Sequence, residues 1–234
     1  MTMLIDSMVE RAKADKKTIV LPEGHDDRIL AAAEETLKQG IANLVILGDA
    51  EEINAKGYNL EGAEIINPAT SDKVDEFASL LFELRKKKGM TEEEARELVT
   101  KDNIYFATMM VKTGQCDGLV GGASCATVKI LSPALKVLKT APGAPMVSSL
   151  FLMEVPNCDL GENGVFAFAD CALEIQPTAE KLAHIANLTN QSFKRLLGKE
   201  ARIALLSHSS HGSAKNDDAQ KVVDAMTYIK ENYP

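Results

Sequence analysis

The sequence has few cysteines, an excess of acidic over basic residues and no long apolar run, and each of these features excludes a class of protein. Its four cysteines form no C-x-x-C pair, so neither a zinc site nor a disulfide framework is indicated, and reduced thiols in the cytoplasm are expected. A net charge of −8 disfavours nucleic-acid binding, which requires a basic face. The apolar run at 146–153 is too short to cross a bilayer, and the acidic N-terminus lacks a signal-peptide core, so no membrane segment is expected.

In the first part of the chain, short apolar strands alternate with amphipathic helices. Strands are predicted at 18–21 and 44–47, and the helix between them begins at a cap provided by Asp26 or Asp27 and ends at Gly40. Further helices are predicted at 71–88 and 104–112. This alternation is typical of a parallel sheet covered on both faces, so we predict an α/β fold.

Two local signals refine the helix predictions in this part. Thr91 and Glu94 have the spacing of a capping box, which predicts a helix start. Ser132 followed by Pro133 looks like a helix cap with proline in the first turn, so a helix is expected to begin there.

The pattern changes after residue 144, where we place a domain boundary. Strand-like runs at 147–153 and 165–170 flank a polar segment containing Asn163-Gly164, which favours a tight turn. A helix at 178–197, a strand at 203–206 and a helix at 217–230 follow. The predicted domains are residues 1–144 and a partial second α/β domain at 145–234.

Parallel sheets bind ligands beyond the carboxyl ends of their strands, so the loops there are candidate sites. The glycine-rich segment 118–124, which includes Gly122, follows a predicted strand and can present backbone N–H groups to an anion, with Thr127 or Ser132 as a hydroxyl donor or cap. The alternative is a tight turn that needs glycine for its backbone alone. Both interpretations stay open.

A second candidate is the segment 207–215, which is rich in hydroxyl and imidazole groups and follows the predicted strand at 203–206. Its composition suits phosphate binding, although a solvated loop is the commoner explanation. His208 and His211 lack a third ligand nearby, so no metal site is expected. No G-x-S-x-G motif supports a serine hydrolase.

Arginine side chains form the third candidate. Arg85 lies in a basic run at the end of the predicted helix 71–88, and Arg28 follows the segment 22–27. Each could hold a phosphate, or could simply complement a helix dipole and stay solvated.

Several motifs together identify a family. They are Leu21-Pro-Glu-Gly24, Glu83-Leu-Arg-Lys86, Lys139-Thr-Ala-Pro-Gly143, Gly212-Ser-Ala214 and Phe168-Ala-Asp-Cys-Ala172. With these motifs the chain resembles the phosphate acetyltransferase (phosphotransacetylase) family of the phosphate acetyl/butyryl transferase superfamily. The Phe168-Ala-Asp-Cys-Ala172 motif favours acetyl over butyryl enzymes.

The resemblance implies reversible acetyl transfer between coenzyme A and inorganic phosphate, with coenzyme A as a substrate and no cofactor or metal. It also implies two α/β domains with mainly parallel sheets and an interdomain cleft, as in isocitrate and isopropylmalate dehydrogenases, and a homodimer. The substrate-binding residues expected on this basis are Arg28, Arg85, Gly122, Thr127, Lys129, Ser132, Ser207, Ser209, Gly212 and Ser213.

The chain departs from the family pattern in two places. Ser132 stands where a phosphate-binding arginine is expected, and Lys129 could restore only a point charge. The family's Ser-Arg pair and Asp base are expected beyond Pro234, so little activity is expected of these 234 residues alone. The alternative function is a truncated, noncatalytic relative that binds coenzyme A or phosphate compounds, or that acts as an assembly partner.

Overall fold

A computed structural model describes residues 3–209 and 213–233, which fall into two compact units that divide between Lys139 and Thr140. The helices are α1 Met3–Ala14, α2 Asp27–Gln39, α3 Ala50–Ala55, α4 Val74–Arg85, α5 Glu92–Lys101, α6 Asn103–Lys112, α7 Thr127–Val137, α8 Ala179–Leu197 and α9 Asp217–Asn232. The strands are β1 Thr18–Leu21, β2 Asn43–Leu47, β3 Glu64–Ile66, β4 Gly118–Leu119, β5 Leu150–Glu154 and β6 Val165–Ala169.

The first unit is built on a four-stranded parallel sheet in the order β3-β2-β1-β4. Alternate residues of its strands enter two separate cores. Val20 and Val45 pack with α4, α5, α6 and α7 on one face, whereas Leu21 and Ile46 pack with α2 and α3 on the other. The predicted parallel sheet covered on both faces is therefore confirmed.

The strands that pair with the two edges of β1 come from different parts of the chain. The order β3-β2-β1-β4 places β2 on one edge of β1 and β4 on the other, and the helices that follow β1 and β4 pack on opposite faces. This is the topological switch point of an open α/β sheet, where a crevice forms beyond the carboxyl ends of the strands.

The local helix signals were mostly correct. Asp26 caps α2 by accepting from Arg28 N–H, and Gly40 ends that helix in the left-handed region with φ of 68°. Thr91 and Glu94 form the predicted capping box. The helix predicted at 71–88 is shorter, because it gives way after Arg85 to a 3₁₀ turn that ends at Gly89.

The predicted helix start at Ser132 was wrong. Helix α7 begins at Thr127, so Pro133 lies in the helix interior. Proline costs one backbone hydrogen bond there, but Pro133 and Val137 are buried, and this packing stabilises the helix through the break.

The second unit contains an antiparallel hairpin formed by β5 and β6. Asn163 and Gly164 both have positive φ, as the predicted tight turn requires, and they precede β6 directly. The mainly parallel character predicted for the sheets thus applies to the first unit, since the two described strands of the second unit run antiparallel.

The predicted strand at 203–206 was wrong. The segment is apolar and partly β-branched, but it pairs with no strand in the described part of the chain. Ile203 is 50% exposed and Leu206 is 80% exposed. The segment instead borders an apolar groove against β6 and α8. Strand formation needs a hydrogen-bonded neighbour, which composition alone does not supply.

Candidate functional site

The loops that leave β1 and β4 meet at the switch point of the first unit. The loop after β1 begins Pro22-Glu23-Gly24, and the loop after β4 contains the glycine-rich segment at 121–124. Gly121 and Pro22 are in close contact, because a Cβ added to Gly121 would lie 3.0 Å from Pro22 Cγ. The predicted anion loop is therefore in the expected crevice.

The backbone donors of this loop bind a carboxylate of the chain itself. Glu23 Oε2 accepts from the N–H groups of Gly122 at 2.6 Å and Ala123 at 2.9 Å. Its Oε1 accepts from Ser124 N–H at 2.8 Å and from Ser124 Oγ at 2.7 Å. The loop thus presents its N–H groups to an anion, but this anion is the side-chain carboxylate of Glu23.

Glu23 is ionised despite its burial, with only 3% of its surface exposed. Burial alone would raise the pKa of its carboxyl group. The hydrogen bonds from Ser124, Ala123 and Gly122 outweigh burial and lower the pKa from 4.5 to about 2. A substrate phosphate that used the Gly122 N–H group would have to displace this carboxylate.

Two further residues join the same contact, His25 in the loop after β1 and Arg28 in the first turn of α2. Arg28 donates from Nη2 to Ala123 O at 2.5 Å and also pairs with Asp26. His25 Nε2 lies 3.1 Å from Ser124 Oγ. Arg28, predicted as a phosphate ligand, is therefore held against the glycine-rich loop while its side chain stays 70% exposed.

The residues predicted on α7 follow this loop. Thr127 is exposed as the first residue of α7, and its hydroxyl does not cap the helix, because Ala126 occupies the N-cap position. Lys129, Ser132 and Lys136 are spaced by three and four positions, so they share one face of the helix. Lys136 reaches Tyr105, its Nζ lying 3.4 Å from the tyrosine hydroxyl.

A cleft in the first unit lies where α4 ends, against α5, α6 and α7. Its volume is about 640 Å³, and it is lined by Arg85, Lys88, Gly89, Met90, Glu94, Glu97, Leu98, Lys101, Asp102, Tyr105 and Lys136. The cleft thus combines charged side chains with an apolar wall, which suits a ligand with both anionic and apolar parts.

The acidic residues of the cleft already have partners. Glu97 pairs with Lys101 at 2.8 Å, Glu94 accepts from Thr91 N–H in the capping box, and Asp102 caps α6. Arg85 is half-buried, and its side chain, like that of Lys88, makes no hydrogen bond or ion pair with any other residue that the structure describes. Unpaired cations beside satisfied carboxylates favour an anionic ligand.

In the second unit the predicted serines come together. Ser209 N–H donates to Ser207 Oγ at 3.0 Å, and the hydroxyl groups of Ser209 and Ser213 lie 3.2 Å apart. His208 Nε2 lies 3.0 Å from Asn216 Nδ2. Gly212 and His211 lie outside the described residues. Ser207 and Ser213 thus each contact Ser209, so the three serines lie close together.

Asp170 organises another loop of the second unit, just after β6. Its carboxylate accepts from Ser149 N–H at 2.9 Å and Ser149 Oγ at 2.5 Å, from Ser148 Oγ, and from Ala172 and Leu173 N–H at 2.9 Å. Burial opposes ionisation here, but the bonds from Ser149, Leu173 and Ala172 hold the pKa of Asp170 well below its usual value.

Sequence reasoning gave no role to Glu23, Lys88, Lys136 or Asp170. Glu23 and Asp170 were quoted only as letters of motifs, although a carboxylate within two residues of the end of a strand is a signal that could have drawn attention to both. Within residues 3–209 and 213–233, no group of three His, Cys, Asp or Glu side chains could hold a metal ion, and no helix is long and apolar enough to span a membrane.

Comparison with known proteins gives a consistent result. Residues 3–234 match the family described as Phosphate acetyl/butaryl transferase. The chain is 53% identical over 233 residues to a phosphate acetyltransferase of Thermoanaerobacterium thermosaccharolyticum, covering 99% of this chain and 71% of that protein. It is 47% identical to a phosphate acetyltransferase of Acetivibrio thermocellus, covering 98% and 70%.

A solved structure agrees with these sequence matches. A phosphotransacetylase from Streptococcus pyogenes superposes with a TM-score of 0.89 at 35% identity, covering 99% of this chain and 70% of that one. The likeness therefore extends through both units.

Proposed function

Because this chain belongs to the Phosphate acetyl/butaryl transferase family, we propose that it is an acyltransferase that moves an acetyl group reversibly between coenzyme A and inorganic phosphate, a step of acetate metabolism. The observation that carries this proposal is the family match over residues 3–234, together with 53% identity to a phosphate acetyltransferase. The comparisons favour this function over a noncatalytic relative.

The cleft at the end of α4 supports binding of a phosphate group. Arg85 and Lys88 are unpaired among the described residues, and Lys136 approaches the same cleft. A guanidinium can bind phosphate oxygens in pairs, whereas each ammonium adds a point charge. Met90, Leu98 and Tyr105 add apolar surface, so the cleft can take the phosphate of coenzyme A or of acetyl phosphate.

Helix α7 contributes a weaker anion site. Thr127 and Ser132 offer hydroxyls and Lys129 a charge, but a serine cannot replace a bidentate arginine. A hydrogen bond to a charged group contributes about 1.5 to 3 kcal/mol, so Ser132→Arg should tighten phosphate binding roughly ten- to a hundredfold, as measured by calorimetric titration. Unchanged affinity in the folded variant would show that this helix does not face the substrate.

The hydroxyl cluster of the second unit is the remaining candidate for phosphate contacts. Ser207, Ser209 and Ser213 lie close together, and Ser209 Oγ already accepts from Ala214 N–H at 2.8 Å. Gly212, expected to share this role, lies outside the described residues. At the loop described above, Arg28 is proposed to contact phosphate through its exposed guanidinium, whereas Gly122 is proposed to act by fixing the loop, since its N–H is bonded to Glu23.

The proposed chemistry needs a base and no redox partner. The thiol of coenzyme A, with a pKa of about 8.5, loses its proton to a base. The sulfur then bonds to the acetyl carbon, the carbon–oxygen bond to phosphate breaks, and phosphate leaves as cations neutralise its charge. The reaction transfers an acetyl group and a proton only, so we propose no metal or cofactor. Within residues 3–209 and 213–233 we assign no base.

Other expectations from the family resemblance are part of this proposal. They are the domain limits 1–144 and 145–234, the interdomain cleft of the isocitrate and isopropylmalate dehydrogenase type, a homodimer and a location in the cytoplasm. Sedimentation analysis of the purified protein would test the dimer.

The test of function combines binding with turnover. Calorimetry should detect coenzyme A binding by the protein, and an enzyme assay should detect acetyl-CoA formed from acetyl phosphate and coenzyme A. Arg85→Ala should weaken coenzyme A binding about tenfold, because a charge-assisted bond is lost. Lys87→Ala is the matched control, since Lys87 does not line the cleft. Absence of both binding and turnover would overturn the proposal.

A further inference from the structure

The crevice at the switch point of the first unit already contains an anion. Open α/β sheets normally bind a ligand beyond the carboxyl ends of the strands on either side of this point. Here three consecutive N–H groups, from Gly122 to Ser124, and one hydroxyl converge on the two oxygens of Glu23. A cluster of successive backbone N–H groups is a characteristic anion site.

The segment that carries Glu23 is itself rigidly held. Gly24 N–H donates to Leu47 O at 3.2 Å, and Asn103 Nδ2 donates to Pro22 O at 3.0 Å. A Cβ on Gly24 would lie only 2.6 Å from Leu47 O, so the backbone there is packed directly against the end of β2. The backbone that carries Glu23 is therefore fixed by the sheet independently of the glycine-rich loop.

The helix that follows this loop lacks a cap of its own. Ala126 occupies the N-cap of α7 and provides no side-chain hydrogen bond. Thr127, the first residue of α7, is only three positions beyond Ser124. The position of the helix start, and with it the positions of Thr127 and Lys129, depends on how firmly the loop at 122–124 is held.

We propose that Glu23 is the built-in anion of this loop and a positioning residue for substrate binding, which holds the start of α7 so that Thr127 and Lys129 face the substrate. The part of the proposal that concerns substrate rests on the proposed function. The part that concerns the loop does not.

The chemistry requires a carboxylate at this position. Each oxygen of Glu23 accepts two hydrogen bonds, and neither donates. A glutamine of the same size would turn its NH₂ group toward at least one backbone N–H, so one bond would be lost and two donors would face each other. An alanine would leave the N–H groups without an acceptor, and a small carboxylate from solution could then take the place of the side chain.

Hydrogen exchange followed by mass spectrometry tests the loop. In Glu23→Gln we expect exchange in the peptide covering 120–130 to rise about tenfold, while β1 and β2 keep their protection. In Glu23→Ala, formate should restore the protection of the loop, and chloride at equal ionic strength should not. Glu34→Ala is the matched control, because Glu34 accepts a single hydrogen bond, from Asn59 N–H at 2.7 Å.

Binding of coenzyme A, measured by calorimetry on the same variants, tests the positioning role. Affinity should fall about tenfold in Glu23→Gln and recover with formate in Glu23→Ala. Unchanged loop exchange in Glu23→Gln, loss of protection throughout the first unit, or failure of formate to act would each overturn the proposal. Unchanged affinity despite a loosened loop would also overturn it. If the unaltered chain bound no coenzyme A, the proposed function would fail, and the exchange results would still decide the role of Glu23 in the loop.

Discussion

Each unit of the molecule uses one ionised carboxylate to hold a loop at the end of a strand, but the two carboxylates join different parts of the chain. Glu23 follows β1 and binds donors 99 to 101 residues away. Asp170 follows β6 and binds donors 2, 3, 21 and 22 residues away. Glu23 therefore fixes tertiary structure at a ligand crevice, whereas Asp170 closes a local turn beside a hairpin.

The largest loss of stability is expected from a substitution that displaces the backbone next to Glu23. In Gly24→Ala the new Cβ would lie 2.6 Å from Leu47 O, and a backbone atom cannot move aside as a side chain can. We expect a loss of about 3 kcal/mol or more in the free energy of unfolding, measured by urea denaturation. Gly118→Ala is the control, since its nearest neighbour is the flexible end of Ile19, at 3.3 Å. Equal losses in both variants would contradict the explanation.

Acid should weaken the Glu23 contact in a defined pH range. The pKa of Glu23 is lowered to about 2 in the folded chain from 4.5, so its contribution to stability is complete above pH 4.5 and is lost as the pH falls toward 2. The shift corresponds to roughly 3 kcal/mol at most. Stability measured against pH should fall less steeply in this range in Glu23→Gln than in the unaltered chain. Parallel curves would show that Glu23 titrates normally.

Replacing the carboxylate of the second unit should have a smaller and more local effect. Asp170→Asn substitutes a donor for one acceptor oxygen of a half-buried group, for which we expect a cost of about 2 kcal/mol. Hydrogen exchange should rise chiefly at 148–173. Asp159→Asn, on an exposed part of the hairpin connection, should change stability by less than about 0.5 kcal/mol. Equal losses of stability in Asp170→Asn and Asp159→Asn would show that the Asp170 carboxylate does not hold this loop.

The smallest change in stability is expected at the cleft. Arg85 has no partner among the described residues, so Arg85→Ala should alter the free energy of unfolding by less than about 0.5 kcal/mol while it weakens ligand binding. Thermal unfolding with and without coenzyme A would separate the two effects. A large loss of stability without ligand would identify Arg85 as a structural residue.

Sequence analysis succeeded where the physical cause lies within a few residues. The Asp26 cap, the stop at Gly40 and the Thr91–Glu94 box depend on neighbours two to four positions away, and each is present. The parallel sheet followed from the alternation of strands and helices. The family motifs also pointed to Arg85, which lies in a cleft with other cations.

The failures have a different cause. The contact between Glu23 and the loop at 122–124 spans about a hundred residues, and no spacing rule brings these groups together. The segment at 203–206 has the composition of a strand but no strand beside it, and Pro133 lies inside a helix because packing outweighs its local preference. In each case tertiary contacts decide the outcome.

The pairing of β1 with β4 also sets an order of events during synthesis of the chain. Strand β1 can pair with β2 soon after it is made, but its other edge waits for Gly118 and Leu119. At translation rates of about 5 to 20 residues per second, that wait is roughly 5 to 20 seconds. Until then the outer edge of β1 exposes unpaired peptide groups on the nascent chain, and such an edge can pair with another chain. Glu23 can bind the loop at 122–124 only after β4 has been made, so this contact forms as the sheet is completed.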